Sequence, residues 1–304
     1  MFLAPHLAEV GPVRPVVFLG TPVAAVTVLD ALVTAGHPVP LVVSRADARR
    51  GRGGSLSPSP VKARALELGL PVTDDLSMLS TMELPHDVIG VVVAYGRIIP
   101  PDILERIRMV NVHFSLLPKW RGAAPVERAM LAGDATTGVC IMQMEEGLDT
   151  GGVYARAETP IGNRETSSEL TSRLALMGAE LMCSVLQGPL GSPVPQSGDS
   201  TYARKITADD TVVDWEQDST TIDRQVRALT PHTSIDGRRL RIVSVQPIDG
   251  HQAPGEMSGD GIVGTGLGRV RLLVVQPEGK QPMDASDWIR GLKTGFPVKL
   301  GRVP

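Results

Sequence analysis

Only two cysteines occur among the 304 residues. Cys140 and Cys183 show no CxxC spacing, so neither a zinc-ligand pattern nor a disulfide framework is written into the chain. A reducing, cytoplasmic location is therefore expected. Cys140 sits in the apolar run Val139-Cys-Ile-Met142 and reads as core. No apolar run approaches the roughly 18 residues that a bilayer-crossing helix needs, so no membrane partner is expected. Residues 1–13 lack a basic start followed by a long apolar stretch. They read as a frayed extension rather than a secretory leader. Charge of one sign is lacking too: 30 Lys and Arg stand against 33 Asp and Glu, a net charge of −3. Any nucleic-acid contact must then come from a local basic patch. There is no internal repeat. What remains, 42% apolar and 21% charged residues, suits a folded chain long enough for two domains.

The chemistry is concentrated in Asn111-Val-His-Phe-Ser-Leu-Leu-Pro118 and Gly147-Leu-Asp-Thr-Gly151. In the first, Asn111, His113 and Ser115 alternate with apolar residues. In a β-strand that spacing places all three on one face, and Pro118 would end the ladder. An amide donor does not titrate and can hold an oxyanion; an imidazole can move a proton near neutrality. A lone Asn more often caps a turn. On the same face as His113 it reads as catalytic. Asp149 lies in a Gly-rich turn after a predicted strand at 138–144. If that strand lies beside the one at 110–116, its exit loop is expected at the ligand-binding end of the sheet. Asp in such a turn is otherwise an Asx-turn residue.

Apolar runs at 13–19 and 39–43 flank a helical stretch at 23–35, a βαβ unit with a parallel sheet. A further buried strand spans 87–94. Helices are predicted at 101–108, 124–132 and 167–186, the last opening on Ser-Ser-Glu and stopping at Gly188-Pro189. The segment from Gly188 to Gly198 is dense in Gly, Pro and Ser and reads as a linker or crossing segment. Beyond 209 come one helix, at 220–229, and short strands at 240–245, 261–264 and 270–275, which suggest a small barrel or sandwich. The domains are accordingly placed at 1–190 and 209–304, with 191–208 between them.

Arg45, Arg49, Arg50 and Arg52 crowd a glycine-rich stretch that Lys62 follows. Its glycine spacing is neither a Walker pattern nor a dinucleotide fingerprint. A basic loop of this kind reads as an RNA clamp, against the plainer alternative of a solvated loop. Arg238, Arg239 and Arg241, with Arg269 and Arg271, would form a second basic stripe if their strands are neighbours.

Together with Phe18-Leu-Gly-Thr-Pro22, the loop at 51–62, Val93-Ala-Tyr-Gly96, Arg121-Gly-Ala-Ala-Pro125, Thr201-Tyr-Ala-Arg-Lys205 and Asp214-Trp215, these motifs resemble the methionyl-tRNA formyltransferase family. The resemblance runs over nearly the whole chain. It implies an α/β fold, a Rossmann-like parallel-sheet catalytic domain followed by a small OB-like β-barrel. It implies formyl transfer from 10-formyltetrahydrofolate to methionine on initiator methionyl-tRNA, with no catalytic metal and a monomeric enzyme. It gives catalytic roles to Asn111, His113 and Asp149. Folate contacts would come from Ser115, Leu116, Leu117 and Pro118, with Val93 and Tyr95 in the same pocket. Arg45, Arg49, Arg50, Arg52 and Lys62 would meet tRNA. The chain departs from the family pattern after Pro231, where the segment to Gly237 is short and lacks Trp, and at 23–26, which lacks a Phe. Related enzymes that formylate sugar nucleotides or a purine precursor share the Asn-His-Asp set. The purine enzyme would stop near residue 190, and the sugar enzymes would lack the Arg-rich loop.

Overall fold

The structure, a computed structural model, describes residues 13–49 and 54–301. Arg50 and Arg52 thus lie outside the described residues. The chain divides into two compact units. Among the described residues, those within 13–123, 136–160 and 171–202 form the first, and those within 124–135, 161–170 and 203–301 form the second.

In the first unit, continuous apolar runs give a seven-stranded sheet. Its order is Val153–Pro160, Thr136–Gln143, Met109–His113, Ile89–Val93, Val16–Gly20, Leu41–Val43 and Val72–Thr73. The strands from Met109–His113 to Val72–Thr73 pair in parallel, as the βαβ reading predicts. Thr136–Gln143 joins antiparallel, with His113 opposite Cys140 and Val110 opposite Gln143. The expectation that it exits at the His113 end is therefore corrected: it exits at the other end. A parallel pair needs a crossover that packs back over the sheet. The helix Pro125–Ala132, which precedes this strand, packs on the helix Ser219–Leu229 instead.

The helix Ser167–Leu186 has the predicted bounds. Thr166 N donates to Glu169 Oε2 (2.8 Å) and Glu169 N to Thr166 Oγ1 (3.3 Å), a capping box one residue earlier than the Ser-Ser-Glu reading. Gly178 lets it lie close to the sheet, since a Cβ there would stand 2.6 Å from Val112 Cγ1. Val112 faces that helix, so Asn111 and His113 face the opposite side.

The second unit is a nearly closed antiparallel barrel. Its strands run in the order His232–Ile235, Arg238–Ile248, Arg269–Pro277, Ile262–Gly264, Glu256–Met257 and Val298–Lys299. Gly301 then pairs back to Ser234, with N–H···O bonds of 2.8 and 3.0 Å that nearly close the ring. The interior holds Trp215, Leu240, Ile242, Val245, Val263, Val270 and Trp288. The two basic clusters do lie on neighbouring strands, but Arg241 opposes Gln276 while Arg271 opposes Gln246. They sit at opposite ends of the pair, about 17 Å apart at the usual strand rise, and form no single stripe.

His232 opens the barrel's first strand, and Arg239 Nη2 donates to its Nδ1 (2.9 Å). Burial first, then the Arg239 charge, hold its pKa below the ordinary imidazole value of 6.5. The unfolded chain thus takes up this proton before the folded one does. The resulting stability is complete above pH 6.5 and is lost as pH falls from there toward the folded pKa. The melting temperature is expected to fall as pH is lowered through 6.5, and to fall less in His232→Gln. Equal slopes for the two proteins would refute the assignment.

Candidate active site

The strand Met109–His113 stops at His113. Ser115 therefore does not continue the polar face. It is fully buried, and its hydroxyl donates to the Lys119 carbonyl (2.5 Å), holding the turn. Phe114 and Leu116 keep the alternation going in sequence after the backbone has left the sheet.

His113 is 5% exposed and sits between two oxygens. Its Nε2 lies 2.9 Å from the carbonyl oxygen of Trp120. A carbonyl only accepts, so Nε2 carries the hydrogen, and the neutral ring presents Nδ1 as an acceptor. Nδ1 stands 3.7 Å from Asp149 Oδ2, beyond hydrogen-bond length. Asn111 is half-buried one pleat back on the same face.

Asp149 reaches this place although its strand exits at the far end of the sheet. The loop 144–152 is long enough to turn back. Oδ2 of Asp149 accepts from Gly122 N (2.7 Å), and its backbone is left-handed, with φ of 51°. Asp tolerates that region better than most residues. Gln196 Nε2 donates to the carbonyls of Asp149 (2.8 Å) and Gly151 (2.7 Å), and Arg121 donates to Gln196 Oε1. Residues 120–122 thus touch both His113 and Asp149. Neither Gln196 nor this arrangement is legible in the sequence; Gln196 lies in the stretch that composition marks as a linker.

The remaining predicted residues fall into two groups. Val93 and Leu117 are buried, Leu117 against Cys140 and Met142, while Leu116 and Pro118 are half-buried. Tyr95 is buried in the apolar cluster at the end of Ile89–Val93, with the Arg97 guanidinium 5.9 Å from its ring centre. Burial pushes the Tyr95 phenol up from its ordinary pKa. A cleft of about 250 Å³ is bordered by Leu117, Val153, Tyr154, Arg156, Val194 and Gln196; Asn111, His113 and Asp149 do not line it.

On either side of residues 50–53 the chain makes a short two-stranded pairing. Ala48–Arg49 pairs antiparallel with Leu56–Ser57. Arg49 is exposed, and Arg45 donates to the Gly96 carbonyl (3.3 Å). Lys62 is not free to meet a phosphate unaided: it is 24% exposed and paired with Asp47 (2.6 Å). Among the described residues, no group of three or more His, Cys, Asp and Glu is placed to hold a metal ion, and no helix is long and apolar enough to cross a membrane.

Residues 13–186 match the model of the formyl transferase family, and 205–293 match that of the formyl transferase C-terminal domain. A methionyl-tRNA formyltransferase from Ruegeria pomeroyi is 44% identical over 94% of this chain and 98% of its own. This chain belongs to the methionyl-tRNA formyltransferase family. It is a transferase of formyl groups. A second relative of the same name, from Jannaschia sp., is 45% identical over 91% of this chain and 97% of its own. Among solved structures, an N-formyltransferase from Helicobacter canadensis, in complex with folinic acid and dTDP-3-aminofucose, aligns with a TM-score of 0.66. It covers 86% of this chain and 99% of its own at 18% identity, a likeness of fold.

Proposed function

We propose that this enzyme transfers the formyl group of 10-formyltetrahydrofolate to the amino group of methionine on initiator methionyl-tRNA, through Asn111, His113 and Asp149. The observation that carries the site assignment is the convergence of the three side chains. Asn111 and His113 share one strand face, and Asp149 is folded back to 3.7 Å from His113. The relatives' names and the basic residues of the segment 45–62 support the choice of acceptor.

The amine nitrogen attacks the formyl carbon, the carbonyl oxygen becomes an oxyanion, and the bond to folate N10 breaks. Asn111 donates to the oxyanion. His113 accepts the amine proton on Nδ1, the nitrogen left without hydrogen by the Trp120 carbonyl. That proton lands between Nδ1 and Asp149 Oδ2, where the carboxylate stabilises the imidazolium. It is then available to the departing N10. Residues up to about 190 carry this chemistry, and 191–208 lead to the barrel, 209–304, which helps to hold the tRNA. The half-buried Leu116 and Pro118 border the folate site, with Leu117, Val93 and Tyr95 packed behind it. No metal takes part, and the enzyme acts as a cytoplasmic monomer.

The test is to offer 10-formyltetrahydrofolate with methionyl-tRNA, a 4-amino sugar nucleotide or glycinamide ribonucleotide in separate reactions. Formylation of the tRNA alone is expected, and transfer only to another acceptor would overturn the reading. In the same assay, Arg49→Ala should raise the KM for tRNA and flatten its salt dependence, because a phosphate that is no longer neutralised lowers the salt slope by about one unit.

A further inference from the structure

Composition marks residues 191–208 as a linker, yet part of that stretch holds the site from outside. Thr201 Oγ1 accepts from Trp120 N (2.9 Å), and the Thr201 carbonyl accepts from Arg121 N (2.9 Å). The inner edge of 120–122 meets His113 through the Trp120 carbonyl and Asp149 through the Gly122 N–H. Gln196 is the centre of the brace. Its Nε2 bonds to the Asp149 and Gly151 carbonyls, while its Oε1 accepts from Arg121 Nε (3.1 Å) and Nη2 (2.7 Å). Both ends of the amide are matched, donors to carbonyls and acceptor to guanidinium, so the amide has one orientation. The carbonyl it holds belongs to Asp149, whose left-handed backbone (φ of 51°) turns the loop at this point.

We propose that Gln196 is a positioning residue for formyl transfer: its amide, bridging Arg121 to the carbonyls of Asp149 and Gly151, sets where the Asp149 carboxylate stands relative to His113. The inference rests on the role given to Asp149 above. In this role Gln196 acts through the Asp149 loop, whose carbonyls it holds. Loss of the bridge frees the carboxylate to drift, and a displacement near 1 Å costs about 10²-fold in rate.

Steady-state kinetics on the full chain test this with Gln196→Ala, Gln196→Glu, Asp149→Ala and, as a control on the same segment, the exposed Ser197→Ala. Gln196→Ala should lower kcat by about 10- to 100-fold with KM for both substrates and the melting temperature unchanged. Gln196→Glu should be equally slow, because a carboxylate keeps Arg121 but cannot donate to two carbonyls. Ser197→Ala should match the parent enzyme. Near-normal kcat in Gln196→Ala, full rescue by Gln196→Glu, or a loss that only tracks a lowered melting temperature would each overturn the proposal. Full activity in Asp149→Ala would instead overturn the site assignment. Loss there with normal activity in Gln196→Ala would overturn this inference alone.

Discussion

Replacing His113 with alanine is expected to lower kcat/KM for formyl transfer by about 10²–10⁴-fold, the range for removing a positioned acid–base group. Asn111→Ala should cost about 10²–10³-fold, the usual loss for one oxyanion donor. His113 is nearly enclosed, so its removal also takes away the hydrogen bond to the Trp120 carbonyl, and thermal melting must be measured beside the rates. Asn111 is half-buried, so its replacement carries less risk to the fold. The two effects should differ in how they combine with Asp149. In the proposed path Asp149 works only through the proton on His113 Nδ1. The double variant His113→Ala with Asp149→Ala should then be hardly slower than His113→Ala alone. Asn111 serves a different atom, so its loss should compound with either. A folded His113→Ala protein with near-normal kcat/KM would end this reading of the site.

Periodicity made some of this visible and hid the rest for definable reasons. The helix Ser167–Leu186 was legible because its apolar spacing, start and Gly-Pro stop all agree. Asn111 and His113 were placed on one face correctly because both lie within a regular strand. Ser115 was not, because side-chain alternation outlasted the backbone geometry that gives it meaning. The direction of Thr136–Gln143 left no trace: a two-residue repeat records which face is buried, not which way the chain runs. The same blindness merged the Arg238–Arg241 and Arg269–Arg271 clusters, since adjacency of antiparallel strands does not bring their ends together. In the Gly- and Pro-rich stretch, composition points to a linker or crossing segment, but hydrogen bonds such as those of Gln196 depend on the folded partner and have no local signature.

Gly151→Ala is expected to lower kcat by about 10²-fold or more, although position 151 carries no chemistry of its own. A Cβ there would stand 2.0 Å from the Gln143 carbonyl oxygen and 2.9 Å from its carbon. Both belong to the backbone at the end of a sheet strand, where Gln143 N also bonds to the Gly152 carbonyl (2.8 Å). The strand cannot yield without losing ladder bonds, so the loop must move by about 1 Å, and Asp149 is two residues away. Gly147→Ala in the same loop supplies the comparison. Its Cβ would meet Thr150 Oγ1 at 2.2 Å and Cγ2 at 3.1 Å, both parts of a side chain that can rotate away. That variant should keep most of its activity. The two changes add the same methyl group to the same loop, and only one forces the backbone that carries Asp149. If both proved equally harmless, the placement of the Asp149 loop would have no bearing on rate. If both proved equally damaging, crowding in the loop rather than displacement of the carboxylate would be the cause.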